Sequence, residues 1–207
     1  MAYRQTDKTR THKEETRQRI LSVARDAVAD GGFAAVHMTS VAAAAGLATG
    51  TLYRYFPSRG DLLADVFRLV TKREVDVMGA VAASDGTVPL RLAAAVETFA
   101  RRAMRAPGLA YALIFEPVDP LVDAERLVFR RSYATILGGL VKEGVASGAF
   151  PEQNIPVVAN CMVGALAEAL VGPLAAKGQG SPDDRDADVQ AIVTFCLSAV
   201  TQSQARS

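Results

Sequence analysis

The sequence is poor in the residues that most catalytic and metal-binding centres use. It contains no tryptophan, two histidines and two cysteines among 207 residues, and aromatic residues make up only 6%. It has no Gly-x-Ser-x-Gly motif, no P-loop and no group of His and Cys at metal-ligand spacing. The histidines, His12 and His37, have no partner in the sequence that suggests acid–base chemistry. We therefore expect no enzyme, no metal site and no cofactor.

The cysteines and the apolar runs indicate a reducing, aqueous compartment. Cys161 and Cys196 lie far apart in apolar surroundings, which favours two buried thiols over a disulfide. The N-terminus has no apolar segment typical of a secretory signal. The long apolar run 155–174 is interrupted by polar residues and a proline, and a carboxylate such as Glu168 in mid-membrane costs about 2.5–3.5 kcal/mol. We predict a cytoplasmic protein with a buried helix there and no membrane contact.

Half of the residues are hydrophobic, and alanine, the strongest intrinsic helix former, supplies much of that half. An all-α fold is the expectation. The net charge of +1 conceals an asymmetry, because the first 73 residues hold 12 Lys and Arg against 7 Asp and Glu, and the rest hold 11 against 15. A basic N-terminal part on a mildly acidic remainder suggests that one end meets a polyanion.

The spacing of apolar residues predicts about nine helices. The first follows a capping box at Thr11 and Glu14 and ends at the pair Gly31-Gly32. A polar loop, 177–186, is predicted to be flexible. Beyond residue 57 the predicted helices cover 58–83, 89–104, 109–115, 123–147, 155–176 and 187–203.

The segment VAAAAGLATGTLYRYF, residues 41–56, admits two interpretations at its end. Residues 51–56 alone have the β-branched and aromatic composition of a strand. A strand there would have no partner, because an alanine-rich helix precedes it at 41–45 and a second helix opens at Thr49 and stops before Pro57. Short helix, glycine turn, short helix is the pattern of a helix-turn-helix, whose second helix enters the major groove of DNA.

The stretch AAAAGLATGTLYRYFPSRGDLL, within residues 13–68, resembles the TetR family of one-component bacterial transcription regulators. The rest of the chain is similar to that family in helix number and order only. The resemblance implies a flexible basic arm at 1–11, a three-helix DNA-binding domain at 12–57, and a ligand-binding and dimerisation domain at 58–207. It also implies a homodimer that places one recognition helix in each of two successive major grooves of an operator.

The resemblance assigns DNA contacts to the recognition helix and its surroundings. Gly50 would let the helix N-terminus approach DNA without a Cβ. The Thr51 and Tyr53 hydroxyls would fix the register through phosphates, and Arg54 would attract phosphate or bind a guanine edge. The predicted set has Thr49 and Gly50 near base edges, Thr51 and Tyr53 on phosphates, Arg54 and Tyr55 beside the groove, and Arg59 on a backbone phosphate.

Two points in this part of the chain leave alternatives open. His37 occupies the position where the family usually has a Ser or Thr cap, and histidine is a poor cap. Either Thr39 caps a shortened second helix, or Thr39 lies inside the helix and faces DNA, which we favour. Arg4, Lys8 and Arg10 either reach a minor groove as a flexible arm or form a solvated tail.

The resemblance implies a ligand cavity in the C-terminal domain, although each candidate for its wall is also compatible with ordinary core. Tyr111, Arg130 and Tyr133 bring hydrogen-bonding groups into apolar helices. Glu116, which directly precedes Pro117, is the other polar option and would favour a cation. The ligand is predicted to be small and mainly apolar, and its charge stays open. The candidates are Phe99, Met104, Tyr111, Phe115, Phe129, Arg130, Tyr133 and Met162.

The penultimate helix has small residues that would let another helix approach closely: Gly164, Ala165, Ala167, Ala169 and Gly172. A long apolar helix without a polar face must be covered, either within one subunit or by a four-helix interface formed from the last two helices of two subunits. We predict the interface. The sequence as a whole predicts a repressor released from its operator by a small, mainly apolar molecule; the alternative is a small-molecule-binding protein or enzyme on the same fold without operator binding.

Overall fold

The computed structural model describes residues 7–175 and 181–201, and within these ranges the regular structure is entirely helical. A 3-10 turn, Phe33–Ala35, joins the first two α-helices. The prediction of an all-α fold with about nine helices is confirmed. The helices are α1 Asp7–Gly31, α2 Met38–Ala44, α3 Thr49–Tyr55, α4 Arg59–Ala82, α5 Val88–Arg105, α6 Pro107–Phe115, α7 Pro120–Ala146, α8 Ile155–Ala175 and α9 Pro182–Thr201.

The beginning of α1 differs from the prediction. The helix begins at Asp7, so Thr11 lies inside it and the predicted capping box at Thr11 and Glu14 was wrong. The Glu14 side chain instead accepts a hydrogen bond from Gln18 Nε2 at 2.7 Å, one turn further along the helix. The part of the predicted arm from Asp7 onwards is therefore helical, and residues 1–6, with Arg4, lie outside the described residues.

The beginning of α9 also differs, because the helix includes residues 182–186 of the predicted flexible loop. Asp184 N donates to Ser181 Oγ and Ser181 N donates to Asp184 Oδ2, both at 3.1 Å. This is a capping box, and the sequence Ser-Pro-Asp-Asp already contained its signal, together with a proline at the first helical position. The prediction missed it because the segment has no apolar periodicity.

The helix-turn-helix forms as predicted. α2 begins at Met38 with His37 at its N-cap and no side-chain cap, so Thr39 lies in the first turn, as in the favoured alternative. The turn passes through Gly46, whose φ of 68° is one that residues with a Cβ rarely adopt. α4 opens with a capping box between Ser58 and Asp61, in which Asp61 N donates to Ser58 Oγ at 3.1 Å.

Buried apolar residues form two clusters. The first contains Leu52 and Phe56, which are 0% and 1% exposed and anchor α3 in the head, the unit formed by α1, the 3-10 turn, α2 and α3. This head core continues through the first half of α4 to Phe67 and receives Leu113 of α6 and Val122 of α7. The second cluster lies among α4, α5, α7, α8 and α9. Because α4 contributes residues to both clusters, a movement of α4 would change the packing of both.

α8 is long and apolar, and only one side of it faces the core. It is the one helix among the described residues that passes a length and hydropathy test for crossing a membrane, which is weak support for a span, and only 22% of the tested window is buried. Its buried residues are Ala159, Met162, Leu166, Leu170 and Leu174. The prediction of a buried helix is therefore only partly correct.

The two thiols differ in exposure, and both are free. Cys196 of α9 is buried as predicted. Cys161 is exposed, because it lies off the buried stripe of α8, and its predicted burial was wrong.

Candidate DNA-binding face and ligand cavity

α3 is anchored on one side and open on the other. Leu52 and Phe56 lie in the head core, and Tyr55 packs against it half-buried. On the opposite side Arg54 is exposed and Tyr53 has 47% of its surface exposed, unusually high for a large aromatic residue. The helix therefore directs a hydroxyl and a guanidinium outwards, the two groups best suited to phosphates and base edges.

The first turn of α3 holds the other predicted contacts. Thr49 and Thr51 are half-buried, and Gly50 is exposed. A Cβ at Gly50 would meet nothing within 4 Å, and the glycine does not adopt a positive φ. Neither packing nor backbone conformation within the described part of the chain requires glycine there. Thr39 is exposed on α2.

Arg59 has partners that the sequence did not reveal. Its guanidinium donates through Nε to the carbonyl oxygen of Val36 at 2.8 Å and through Nη2 to the carbonyl oxygen of Phe33. The partners are backbone atoms far away in the sequence, so no side-chain pattern could have indicated them. These bonds tie the 3-10 turn to the beginning of α4. The predicted phosphate contact of Arg59 would have to coexist with them.

Glu116 connects the end of α6 to the head. Its Oε2 accepts a hydrogen bond from Phe33 N at 2.7 Å. Gly32, whose φ is 71°, makes room for this carboxylate, since a Cβ there would lie 2.1 Å from Glu116 Oε1. Glu116 is absent from the wall of the cavity, and the option of Glu116 as a ligand contact for a cation was wrong.

Two further close contacts join the head to the rest of the chain. A Cβ at Gly108 of α6 would lie 2.4 Å from the carbonyl oxygen of Ala29 in α1. Only glycine allows α6 to approach α1 this closely. Asp65 of α4 pairs with Arg17 of α1 and with Arg68, and Arg68 Nε lies 2.8 Å from Glu125 Oε1 of α7.

A cavity of about 150 Å³ lies among α4, α5, α6, α7 and α8. Of the predicted residues, Phe99, Phe129, Arg130 and Tyr133 line it. Its wall is largely apolar and also includes residues that the prediction did not name. These are Phe67, Val70, Thr71, Glu74, Arg102, Ala103, Ala106, Leu109, Ala110, Leu113, Ile114, Arg126, Val163 and Ala167.

The other four predicted residues lie outside the wall. Met104 and Met162 are buried in the second cluster, 7% and 2% exposed. Tyr111 and Phe115 pack against each other, with ring centroids 5.5 Å apart. Residue size could not separate core from cavity wall, because both use large apolar side chains.

Three of the four charged residues in the cavity wall have partners. Arg102 Nη2 donates to Glu74 Oε1 at 2.8 Å and Nε donates to Oε2. The hydrogen bonds to Glu74 raise the pKa of Arg102. Arg126 donates to the carbonyl oxygens of Leu113 at 2.9 Å and Glu116 at 3.0 Å. Burial lowers the pKa of Arg126, although a guanidinium remains charged at any physiological pH.

Tyr133 and Arg130 contribute the polar groups that remain. Burial raises the pKa of Tyr133 well above its usual value, so the hydroxyl is a neutral donor. The Tyr133 ring meets Phe99 edge-on with centroids 5.2 Å apart. Among residues 7–175 and 181–201, neither the Tyr133 hydroxyl nor the Arg130 guanidinium takes part in a hydrogen bond or ion pair.

A second depression, of about 310 Å³, lies between α7 and α8 and shares Arg130 and Val163 with the cavity. Its remaining lining residues are Leu127, Arg131, Asn160 and Gly164. Arg130 therefore borders both the cavity and this depression, which we refer to as the vestibule.

The predicted interface residues of α8 have mixed surroundings. Ala169 and Gly172 are exposed, whereas Gly164, Ala165 and Ala167 are half-buried, and Ala167 lines the cavity. Exposed apolar side chains also occur on these helices, with Val157 of α8 54% and Phe195 of α9 60% exposed. Within the described ranges no group of three or more His, Cys, Asp and Glu residues could hold a metal ion.

A head with an outward-facing second short helix, joined by a long shared helix to a cavity-bearing bundle, defines a helix-turn-helix protein with a cavity outside its head. Residues 20–66 match the family described as bacterial regulatory proteins, tetR family, so this part of the chain, from the second half of α1 into α4, is similar to that family.

The chain is 37% identical over 101 residues to the HTH-type transcriptional repressor KstR of Mycolicibacterium smegmatis, a match covering 49% of this chain and 50% of the relative. The match thus spans about half the length of that curated relative. FadR of Bacillus subtilis in complex with stearoyl-CoA shares the fold at a TM-score of 0.77 and 20% identity, over 88% of this chain and 98% of FadR. RolR in complex with resorcinol shares the fold at a TM-score of 0.69 and 21% identity, over 94% of this chain and 92% of RolR.

Proposed function

We propose that the protein is a DNA-binding transcriptional repressor that leaves its operator when a small, mainly apolar molecule enters the cavity. The observation that carries the DNA half is the open side of α3. Tyr53 and Arg54 are exposed there while Leu52 and Phe56 fix the helix from behind. We propose that Thr39, Thr49, Gly50 and Thr51 complete this face, as the sequence predicts. Arg59 would join it only by binding a phosphate while it keeps its hydrogen bonds to the carbonyl oxygens of Val36 and Phe33.

The ligand half is supported by the cavity and by what relatives bind. An apolar chamber with a few convergent polar groups is the usual form of a small-molecule site. The names of the structural neighbours record stearoyl-CoA bound to FadR and resorcinol bound to RolR. In this chain the proposed ligand residues are Phe99, Phe129, Arg130 and Tyr133.

Coupling between the two halves would run through α4 and α6. Phe67 of α4 belongs to the head core, lines the cavity, and packs edge-on against Phe129 with centroids 5.8 Å apart. Arg126, also in the cavity wall, holds the carbonyl end of α6, whose next residue, Glu116, binds the head. A ligand that prefers a tilted α4 would shift the population away from the DNA-binding arrangement.

The protein is proposed to act as a cytoplasmic homodimer. The side of α8 that faces away from the core is mainly apolar, and Val157 and Phe195 are exposed in a single chain. A four-helix interface between α8 and α9 of two copies would cover them. A membrane could cover α8 as well, but exposed Glu168 disfavours it.

Fluorescence anisotropy with duplexes selected from random sequence tests the DNA half. We expect tight binding that weakens steeply as salt rises, and a loss of at least about tenfold in affinity for Tyr53→Phe combined with Arg54→Gln. Lys142→Gln, which removes an exposed charge from α7, is the control and should bind like the wild type.

A selection that enriches no duplex would contradict the proposal. It would favour the alternative of a small-molecule-binding protein or enzyme without operator binding.

A further inference from the structure

We propose that the molecule bound in the cavity carries an anionic group, such as a carboxylate, and that Arg130 binds this group at the mouth of the cavity. The inference rests on the proposed ligand-binding function and specifies the class of ligand. Its basis is the balance of charges and hydrogen bonds in the wall.

The wall holds one carboxylate and three guanidinium groups. Glu74 is fully occupied by Arg102, which donates two hydrogen bonds to it. Arg126 donates hydrogen bonds to the carbonyl oxygens of Leu113 and Glu116 and, from Nη1, to Asp123 Oδ1 at 2.8 Å. Arg130 is exposed and has no such partner within the described ranges, so its positive charge is open to solvent or to a bound anion.

Arg130 borders both the cavity and the vestibule. On its inner side lie the apolar residues of the cavity, including Phe99 and Phe129. On its outer side lies the vestibule, whose lining adds Arg131 and contains no carboxylate. An apolar body inside and an acidic group at the junction would satisfy both sides.

Tyr133 adds a second free donor on the same side of α7. It follows Arg130 by three positions, so the two side chains emerge from neighbouring turns of one helix face, and both line the cavity. The hydroxyl stays protonated because burial raises the pKa of Tyr133. Two donors and no free carboxylate suit an oxygen-rich acidic group and disfavour a cation.

Isothermal titration calorimetry of the full chain with matched pairs of compounds tests the inference. Octanoate is compared with octanol, and phenylbutyrate with phenylbutanol, so that each pair shares its apolar body and differs in charge. We expect each acid to bind about tenfold more tightly than its alcohol, as one charge-assisted hydrogen-bonded pair allows.

Arg130→Gln should reduce that preference to about twofold or less while leaving the affinity for the alcohols unchanged. Arg105→Gln is the matched control, because it removes the same charge from an exposed position of α5 that lines neither the cavity nor the vestibule, and it should keep the preference.

An equal affinity for acid and alcohol in the wild type, or a preference that survives in Arg130→Gln, would overturn the anionic group and leave the cavity as a ligand site. If none of the four compounds bound, the inference and the ligand-binding part of the proposed function would both be overturned. Operator binding, measured separately by anisotropy, would still decide the DNA half.

Discussion

At the scale of single residues, Gly50 is the most informative position of the DNA-binding face. Glycine inside a helix is less stable than alanine by roughly 0.5–1 kcal/mol, and a Cβ at this position would touch nothing within 4 Å. The protein thus keeps a less stable residue for which its own described fold gives no reason. A surface approaching from outside, such as the edge of a base pair, would supply one.

We expect Gly50→Ala to raise the free energy of unfolding by up to about 0.5–1 kcal/mol and to weaken operator binding at the same time. Urea unfolding and anisotropy measure the two effects. Gly139→Ala is the matched control, since Gly139 is also an exposed helical glycine with nothing near its missing Cβ, on α7 far from α3. If Gly50→Ala bound DNA as well as the control, Gly50 would have no role at the interface.

Arg59 allows a second prediction at this scale. Arg59→Lys keeps the positive charge but loses the forked donors that reach Val36 and Phe33. We expect the free energy of unfolding to fall by about 1–2 kcal/mol, because two carbonyl oxygens lose a charged partner. Chemical unfolding checks this. Unchanged stability would show that these hydrogen bonds contribute little and would return Arg59 to a phosphate role alone.

At the scale of elements, the spacing of apolar residues and the positions of capping residues, glycine and proline predicted most of the helices. α4 has a capping box and an apolar stripe, and the prediction of 58–83 compares with an observed Arg59–Ala82. The starts of α1 and α9 were missed, because both lie in polar sequence where no apolar side faces a core. Local hydrogen bonds, as between Ser181 and Asp184, determine such ends.

The candidate site was less predictable than the helices. The exposed side of α3 could be predicted because helical spacing separates Leu52 and Phe56 from Tyr53 and Arg54. The partners of Arg59 and Glu116 could not, because both side chains bind backbone atoms of the 3-10 turn. Such pairings depend on how helices pack and leave no pattern of side chains in the sequence.

The hydrogen bond between Glu116 and Phe33 gives a prediction about the junction of α6 and the head. Glu116→Ala should speed hydrogen exchange of the Phe33 amide by at least about tenfold, since that amide loses a charged acceptor. Exchange measured by nuclear magnetic resonance tests this. Glu116→Gln, which retains an acceptor oxygen, should have a smaller effect, and Glu152→Ala, at an exposed glutamate before α8, should have none. Unaltered exchange in Glu116→Ala would remove this contact from the proposed coupling.

At the scale of the whole molecule, the proposed function includes a second copy of the chain, which would cover the exposed apolar side chains of α8 and α9. We expect Phe195→Asp to convert a dimer into a monomer and to lower operator affinity, because Phe195 is 60% exposed in the single chain. Light scattering after size exclusion measures the mass. Leu90→Asp, at a position of α5 that is 67% exposed, is the control and should remain dimeric. A wild-type protein that is monomeric at all concentrations would contradict the interface.

The shared core of the head also limits how the protein could be recombined with others. Leu52 and Phe56 belong to the same buried cluster as the first half of α4, and that cluster also includes Leu113 of α6 and Val122 of α7. A chimaera that joins residues 1–57 to the C-terminal part of another protein would leave these side chains facing water. Each large apolar side chain exposed in this way would lower the free energy of unfolding by about 1.5–3 kcal/mol. Operator specificity and ligand specificity are therefore not exchangeable modules at that boundary. A working chimaera would have to import the first half of α4 and a matching surface from α6 and α7.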